Sequence, residues 1–94
     1  MSLEDVLNSS VSLPHPLPAK LPDGSPVVLR DVGTLANFLL ATGAMARGSH
    51  PALWEKAEAA IVDADEHPSD NEKVREAWLA AYDLLSTAKL LQES

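Results

Sequence analysis

Asp63-Ala-Asp-Glu-His-Pro-Ser-Asp-Asn-Glu72 is the stretch on which the fold turns. Pro68 lacks a backbone N–H and its ring clashes with the preceding turn, so a helix arriving from Trp54 cannot run through it. Ser69 is followed three residues later by Glu72, ahead of the apolar series Val74, Ala77, Trp78 and Ala81. That pattern has the form of a capping box and predicts that a new helix opens here. Two helices therefore meet at this junction.

Downstream, Val74, Ala77, Trp78, Ala81, Leu84, Leu85 and Ala88 follow a 3.6-residue period, which predicts a helix from Asp70 to about Leu85 or beyond. Upstream, Leu53, Trp54, Ala57, Ile61 and Ala64 form the stripe of a second helix that starts near Ser49 or His50. Pro51 falls in its first turn, where the missing N–H is harmless. A further helix is expected to open with Asp31 as its cap and to carry Leu35, Phe38, Leu39 and Thr42, with Gly43 and Gly48 breaking it. Before it, Asp23-Gly24 separates Leu17-Pro-Ala-Lys-Leu21 from Val27-Val-Leu-Arg30, and that dipeptide supplies the positive φ of a tight hairpin turn. Prolines 18, 22 and 26 weaken the ladder and point to an exposed edge, so the apolar face of the hairpin must rest on the helices. The expected fold class is α+β, an N-terminal β-hairpin packed against three α-helices (ββααα). Residues 1–14 read as a flexible tail, and 15–94 as a single small domain.

Composition narrows function mainly by exclusion. The chain has 94 residues, no cysteine and a net charge of −7. Without cysteine there are no disulfides, thiolate metal sites or thiol nucleophiles. The acids near the start, Glu4 and Asp5, stand where a secretory signal needs positive charge, and no apolar run approaches the length of a membrane span, so a cytoplasmic, membrane-free protein is expected. On that expectation the glycosylation-like Asn8-Ser9-Ser10 has no role. Residues 53–94 hold ten acids against Lys56, Lys73, Arg75 and Lys89, so most of the negative charge lies on the last two helices. Such a field repels phosphate backbones, and no nucleic-acid partner is expected. The junction is not a DNA-binding helix-turn-helix, because its second helix would open on Asp70 and Glu72 against phosphate.

At Val74-Arg-Glu-Ala-Trp-Leu-Ala-Ala81, preceded by Ser69, the chain resembles a small bacterial domain-of-unknown-function family, DUF982, whose last helix reads small-Arg-x-Ala-aromatic-aliphatic-x-Ala-Ala. Pro16-Leu17 leading to Asp23-Gly24 and Val28, then Val32, Ala36 and Leu39, is similar to that family's hairpin and first helix, and Ala57 and Ile61 fall at its small positions. The resemblance spans roughly residues 16 to 85. It departs at His67 and Ser86, where the family favours glycine, and at Thr87-Ala-Lys-Leu-Leu91, which reads as helical where the family tends to an extended tail. It implies a hairpin backed by three helices in an alpha-proteobacterial cytoplasmic protein, and it carries no activity and no functional residue.

Candidate sites are few. Asp63, Asp65 and Glu66 crowd the last turn of the second helix, where the helix dipole is negative and acids are disfavoured. Asp63 and His67 are i,i+4 neighbours, so Asp63, His67 and Asp70 are the candidate ligands for a divalent metal, although Pro68 stands where an EF-hand loop needs glycine. A solvated acidic turn is the plainer reading. His15 and His50 have no adjacent serine or carboxylate partner, nothing has the form of a nucleophile elbow, and Gly43 and Gly48 flank Ala-Met-Ala-Arg without a phosphate-loop signature. No catalytic residue and no cofactor site are expected, and the chain reads as a non-enzyme. Trp54, Trp78, Tyr82 and Met45 are either core or a half-exposed rim. Trp54, Trp78 and Tyr82 are the candidate interaction surface, with Trp54 or Tyr82 projecting beside the prolines and the hairpin edge. The expectation is a protein-interaction or regulatory module with an unknown protein partner, itself a homodimer.

Overall fold

A computed structural model describes residues 3–21 and 23–91, with the side chains of 43–49 outside the description. The order of elements is a 3-10 turn (Leu3–Val6), β1 (Ser12–Lys20), β2 (Pro26–Asp31), α1 (Val32–Ser49), α2 (Pro51–Glu66) and α3 (Asn71–Thr87). The two strands form one antiparallel hairpin and the three helices follow it, the expected ββααα arrangement.

The hairpin turn is built by Asp23 and Gly24. Gly24 adopts φ 94°, its N–H donates to Leu21 O at 2.8 Å, and Asp23 Oδ1 accepts the Ser25 N–H at 2.9 Å. Such an Asx contact plus a positive-φ glycine is the local chemistry that reverses a chain. The Ser25 hydrogen bond also holds the Asp23 carboxyl below its ordinary range. Pairing runs from Lys20↔Pro26 through Leu17↔Leu29, then skips to Ser12↔Asp31, so β1 bulges between Ser12 and Leu17. Pro14 and Pro16 lie inside that bulge, where no ladder N–H is needed. Leu13, Leu17, Ala19 and Leu29 are buried against the helices.

Asp31 does cap α1, as read from the sequence. Its Oδ1 accepts the Thr34 N–H at 2.8 Å, and Thr34 Oγ1 in turn accepts the N–H groups of Arg30 and Asp31 at 3.2 Å each. The expected break at Gly43 and Gly48 does not occur, because α1 continues to Ser49. Glycine weakens a helix by about 1 kcal/mol without deleting a hydrogen bond, whereas Pro51 does delete one, and the chain changes direction just before it. The expected role of Met45 falls outside the described side chains.

The capping box at Ser69 is also corrected. Asp70 is the N-cap of α3, with φ −93° and ψ 99°, and its Oδ1 accepts from Glu72 N at 3.0 Å and Lys73 N at 3.3 Å. One residue of displacement puts Glu72 too early to reach back, so the reciprocal half of the box is missing. At its far end α3 closes at Thr87 and does not run on through Leu91. Lys89 takes φ 62°, Leu90 N–H reaches Leu85 O at 2.8 Å and Lys89 N–H reaches Ser86 O at 3.3 Å, which is a Schellman stop. The chain then returns to the hairpin, with Lys20 N–H donating to Leu90 O at 2.8 Å and Ala19 bridging Leu91.

The segment expected as a flexible tail is laid against the domain. Leu3 and Val6 are buried in the core, Val32 N–H donates to Val11 O at 2.8 Å, and Asn37 Nδ2 donates to Leu7 O at 3.3 Å. The core is otherwise the one that the helical periods predict. Leu35, Phe38, Leu39, Ile61, Ala77, Leu84 and Leu85 are buried, and Thr42 satisfies its hydroxyl on Phe38 O at 2.9 Å. None of the described helices is long and apolar enough to cross a membrane.

Candidate interaction surface and acidic junction

The aromatic candidates separate once they are placed. Trp54 sits on the inner stripe of α2 and is 3% exposed, so it belongs to the core and not to a surface. Trp78 and Tyr82, four residues apart on α3, stack with ring centroids 5.3 Å apart and planes 20° apart. Their spacing puts one above the other on a single flank of the helix. His15 stands edge-on to Trp78 at 6.1 Å and 77°, and Trp78 Nε1 donates to His15 O at 3.0 Å. The indole therefore pins the bulged half of β1 to α3 while Tyr82, stacked on it, remains 40% exposed. His15 looks isolated in the sequence because its partner lies sixty-three residues away, and no local pattern signals the pairing.

Backbone pairing at the hairpin edge is limited. The Leu21 N–H bonded to Ser25 O sets the alternation, which turns Pro26, Val28 and Arg30 outward on β2. Pro26 has no N–H and the Arg30 N–H is taken by Thr34 Oγ1 at 3.2 Å, so Val28 is left as the outward donor of that stretch. A partner would therefore be recognised by side chains more than by strand addition.

At the junction, Asp63 is the hub. Its Oδ2 lies 2.7 Å from Lys73 Nζ on α3, and its Oδ1 lies 3.2 Å from His67 Nδ1. The same Nδ1 lies 3.0 Å from Asp63 O, which suits the tautomer carrying its proton there. The hydrogen bond from Lys73 holds the Asp63 carboxyl below its ordinary range, and the Asp63 contact in turn raises the Lys73 ammonium. This answers the electrostatic anomaly of the sequence, because a cation from the next helix sits at the acid-rich, dipole-negative end of α2. Of the expected metal ligands, Asp63 and His67 come together and Asp70 does not, since Asp70 is engaged in capping α3. Glu66 takes its place, with one ligand atom each of Asp63, Glu66 and His67 lying within 4.8 Å of one another.

Two further surfaces bear charge. Glu55, Glu58, Asp63 and Glu66 line an open groove along α2 together with Ala59, Ala60 and Val62. Between α2 and α3, Lys56 faces Glu76 and Asp83 beside exposed Leu79.

Fold and surface together define the class as a small ββααα domain with an exposed aromatic flank. No family model matches the chain, and neither a curated protein nor a solved structure matches it.

Proposed function

We propose that this chain is a non-catalytic protein-interaction or regulatory module of the cytoplasm that uses the Trp78–Tyr82 flank to engage protein, including a second copy of itself, and not nucleic acid. The observation that supports the reading most is the exposed, preorganised stack of Tyr82 on Trp78, held in place by the indole bond to His15 O. Rigid aromatic side chains give large contact area for little lost side-chain entropy, which is why they are enriched at interfaces. Kinship with DUF982 is part of the same proposal and brings no activity with it. The test is affinity capture of the tagged protein from its native cells, with light scattering on the purified chain. A retained partner or a mass above the monomer is expected, and either should be lost on Tyr82→Ala, a substitution at an exposed position. A strictly monomeric protein that retains nothing would end the reading.

The proximity of Asp63, Glu66 and His67 favours a second reading, a divalent-metal site at the junction. Binding there would displace Lys73 from Asp63, so it predicts that magnesium, manganese or zinc raises the melting temperature and that Lys73→Met enlarges the rise. An unchanged melting temperature with all three ions removes this alternative.

A further inference from the structure

We infer that the chain self-associates head to tail, with the aromatic flank of α3 in one copy seated on the acidic groove of α2 in the next. The inference rests on the reading of the Trp78–Tyr82 flank as an interaction surface, and it specifies what that surface meets. The first observation is that charge on α3 is segregated. Arg75 lies one turn before Trp78, and one turn after Tyr82 comes Ser86, which shares a shallow depression with Lys20 and Lys89. Of the acids on the same helix, Glu76 and Asp83 line a depression with Lys56 of α2, and Glu72 lines the junction. In a chain of net charge −7, the aromatic flank is thus bracketed by cations.

The second observation is the groove itself. Glu55, Glu58 and Glu66 share it with the apolar side chains of Ala59, Ala60 and Val62, and Asp63, paired with Lys73, also lines it. Among the described cations, Lys73 neutralises only Asp63 of this lining, and Lys56 lines the depression between α2 and α3. The two surfaces complement each other in charge and share no residue. Pairing flank with flank about a two-fold axis would bring the cations Arg75 and Lys89 of both copies together, and pairing groove with groove would oppose carboxylates. Like charges across an interface are strongly disfavoured, so complementarity selects the heterologous contact, which propagates or closes into a ring.

The test uses the full chain and two charge-reversed variants at exposed or half-buried positions, Arg75→Glu with Lys89→Glu on the flank, and Glu58→Lys with Glu66→Lys on the groove. Circular dichroism checks that each keeps its helical content. Light scattering of the unaltered chain should give a mass that rises with concentration and falls when salt is raised from about 0.05 M to about 0.5 M. Each variant alone should be monomeric. In their mixture the native flank meets the native groove and the reversed flank meets the reversed groove, so both contacts are complementary again and association that grows with concentration should return. The inference is overturned if the unaltered chain is monomeric at every concentration, if either variant still associates alone, or if the mixture stays monomeric. A monomer that nonetheless captures a partner sensitive to Tyr82→Ala would sink this inference and leave the interaction reading intact. A monomer that captures nothing would sink both.

Discussion

Asp70, Lys89 and Trp78 show how much of the local structure hangs on single side chains. Asp70 Oδ1 carries both N-terminal bonds of α3. Asp70→Ala should lower stability by about 1 kcal/mol, while Ser69→Ala, at the residue that the capping-box pattern favours, should change it by less than about 0.5 kcal/mol. Urea denaturation of both variants checks the assignment, and equal losses would return the cap to Ser69. Lys89 holds φ 62°, a conformation in which a Cβ is disfavoured and glycine is the usual occupant. Lys89→Gly should therefore stabilise the fold by about 0.5–1 kcal/mol, read as a raised urea midpoint at unchanged slope. The sequence offers glycine at neither Ser86 nor Lys89, so the stop is legible only once the left-handed residue is seen.

At the scale of elements, the α2–α3 pair is fastened by Asp63 and Lys73 across the turn at Pro68. The Asp63 carboxyl is held below its ordinary range, so its contribution is present above the pKa of the unfolded carboxyl and is lost as pH falls through the lowered folded value. Lys73 is raised, so its contribution is present below the unfolded ammonium pKa and is lost as pH climbs through the raised folded value. Lys73→Met should lower the melting temperature across the neutral range, with the difference from the unaltered chain shrinking toward zero in strong acid and at high alkalinity. Because both groups are exposed to solvent, added salt should narrow the difference too. A difference that persists unchanged in acid would show that Lys73 acts through its methylene stem and not its charge.

Across the whole molecule, the N-terminal segment is part of the packing. Gly33, in the first turn of α1, lies so close to residues 7–9 that an added Cβ would stand 2.5 Å from Ser9 O and 2.8 Å from Leu7 O. Helix propensity alone predicts that Gly33→Ala stabilises by about 1 kcal/mol. The backbone crossing predicts the opposite, a net loss of about 1–3 kcal/mol together with faster proteolysis of the first dozen residues. That is a large share of the roughly 5–14 kcal/mol expected of a chain this size. A stabilised variant would mean that the segment is easily displaced from α1.

Much of the architecture was legible without coordinates. Asp23-Gly24, the Asp31 cap, Pro51, Pro68 and the periodic stripes of Leu35 to Thr42, Trp54 to Ala64 and Val74 to Ala88 specify a hairpin and three helices, because turn chemistry and apolar periodicity act over a few residues. The candidate surface was legible in part. Tyr82 and Trp78 share a helical flank by spacing alone, but whether an aromatic residue on an apolar stripe is core or rim depends on what packs over it. Trp54 is core for that reason, and Trp78 meets His15 across the molecule. Continuation of α1 past Gly43, Lys73 at the acidic end of α2, and Leu3 and Val6 in the core were likewise decided by tertiary structure. Caps, turns and periodic faces are short-range and are written in the chain itself. Ion pairs, ring contacts and the covering of one element by another join residues far apart in sequence, and only the packed molecule brings them within range of each other.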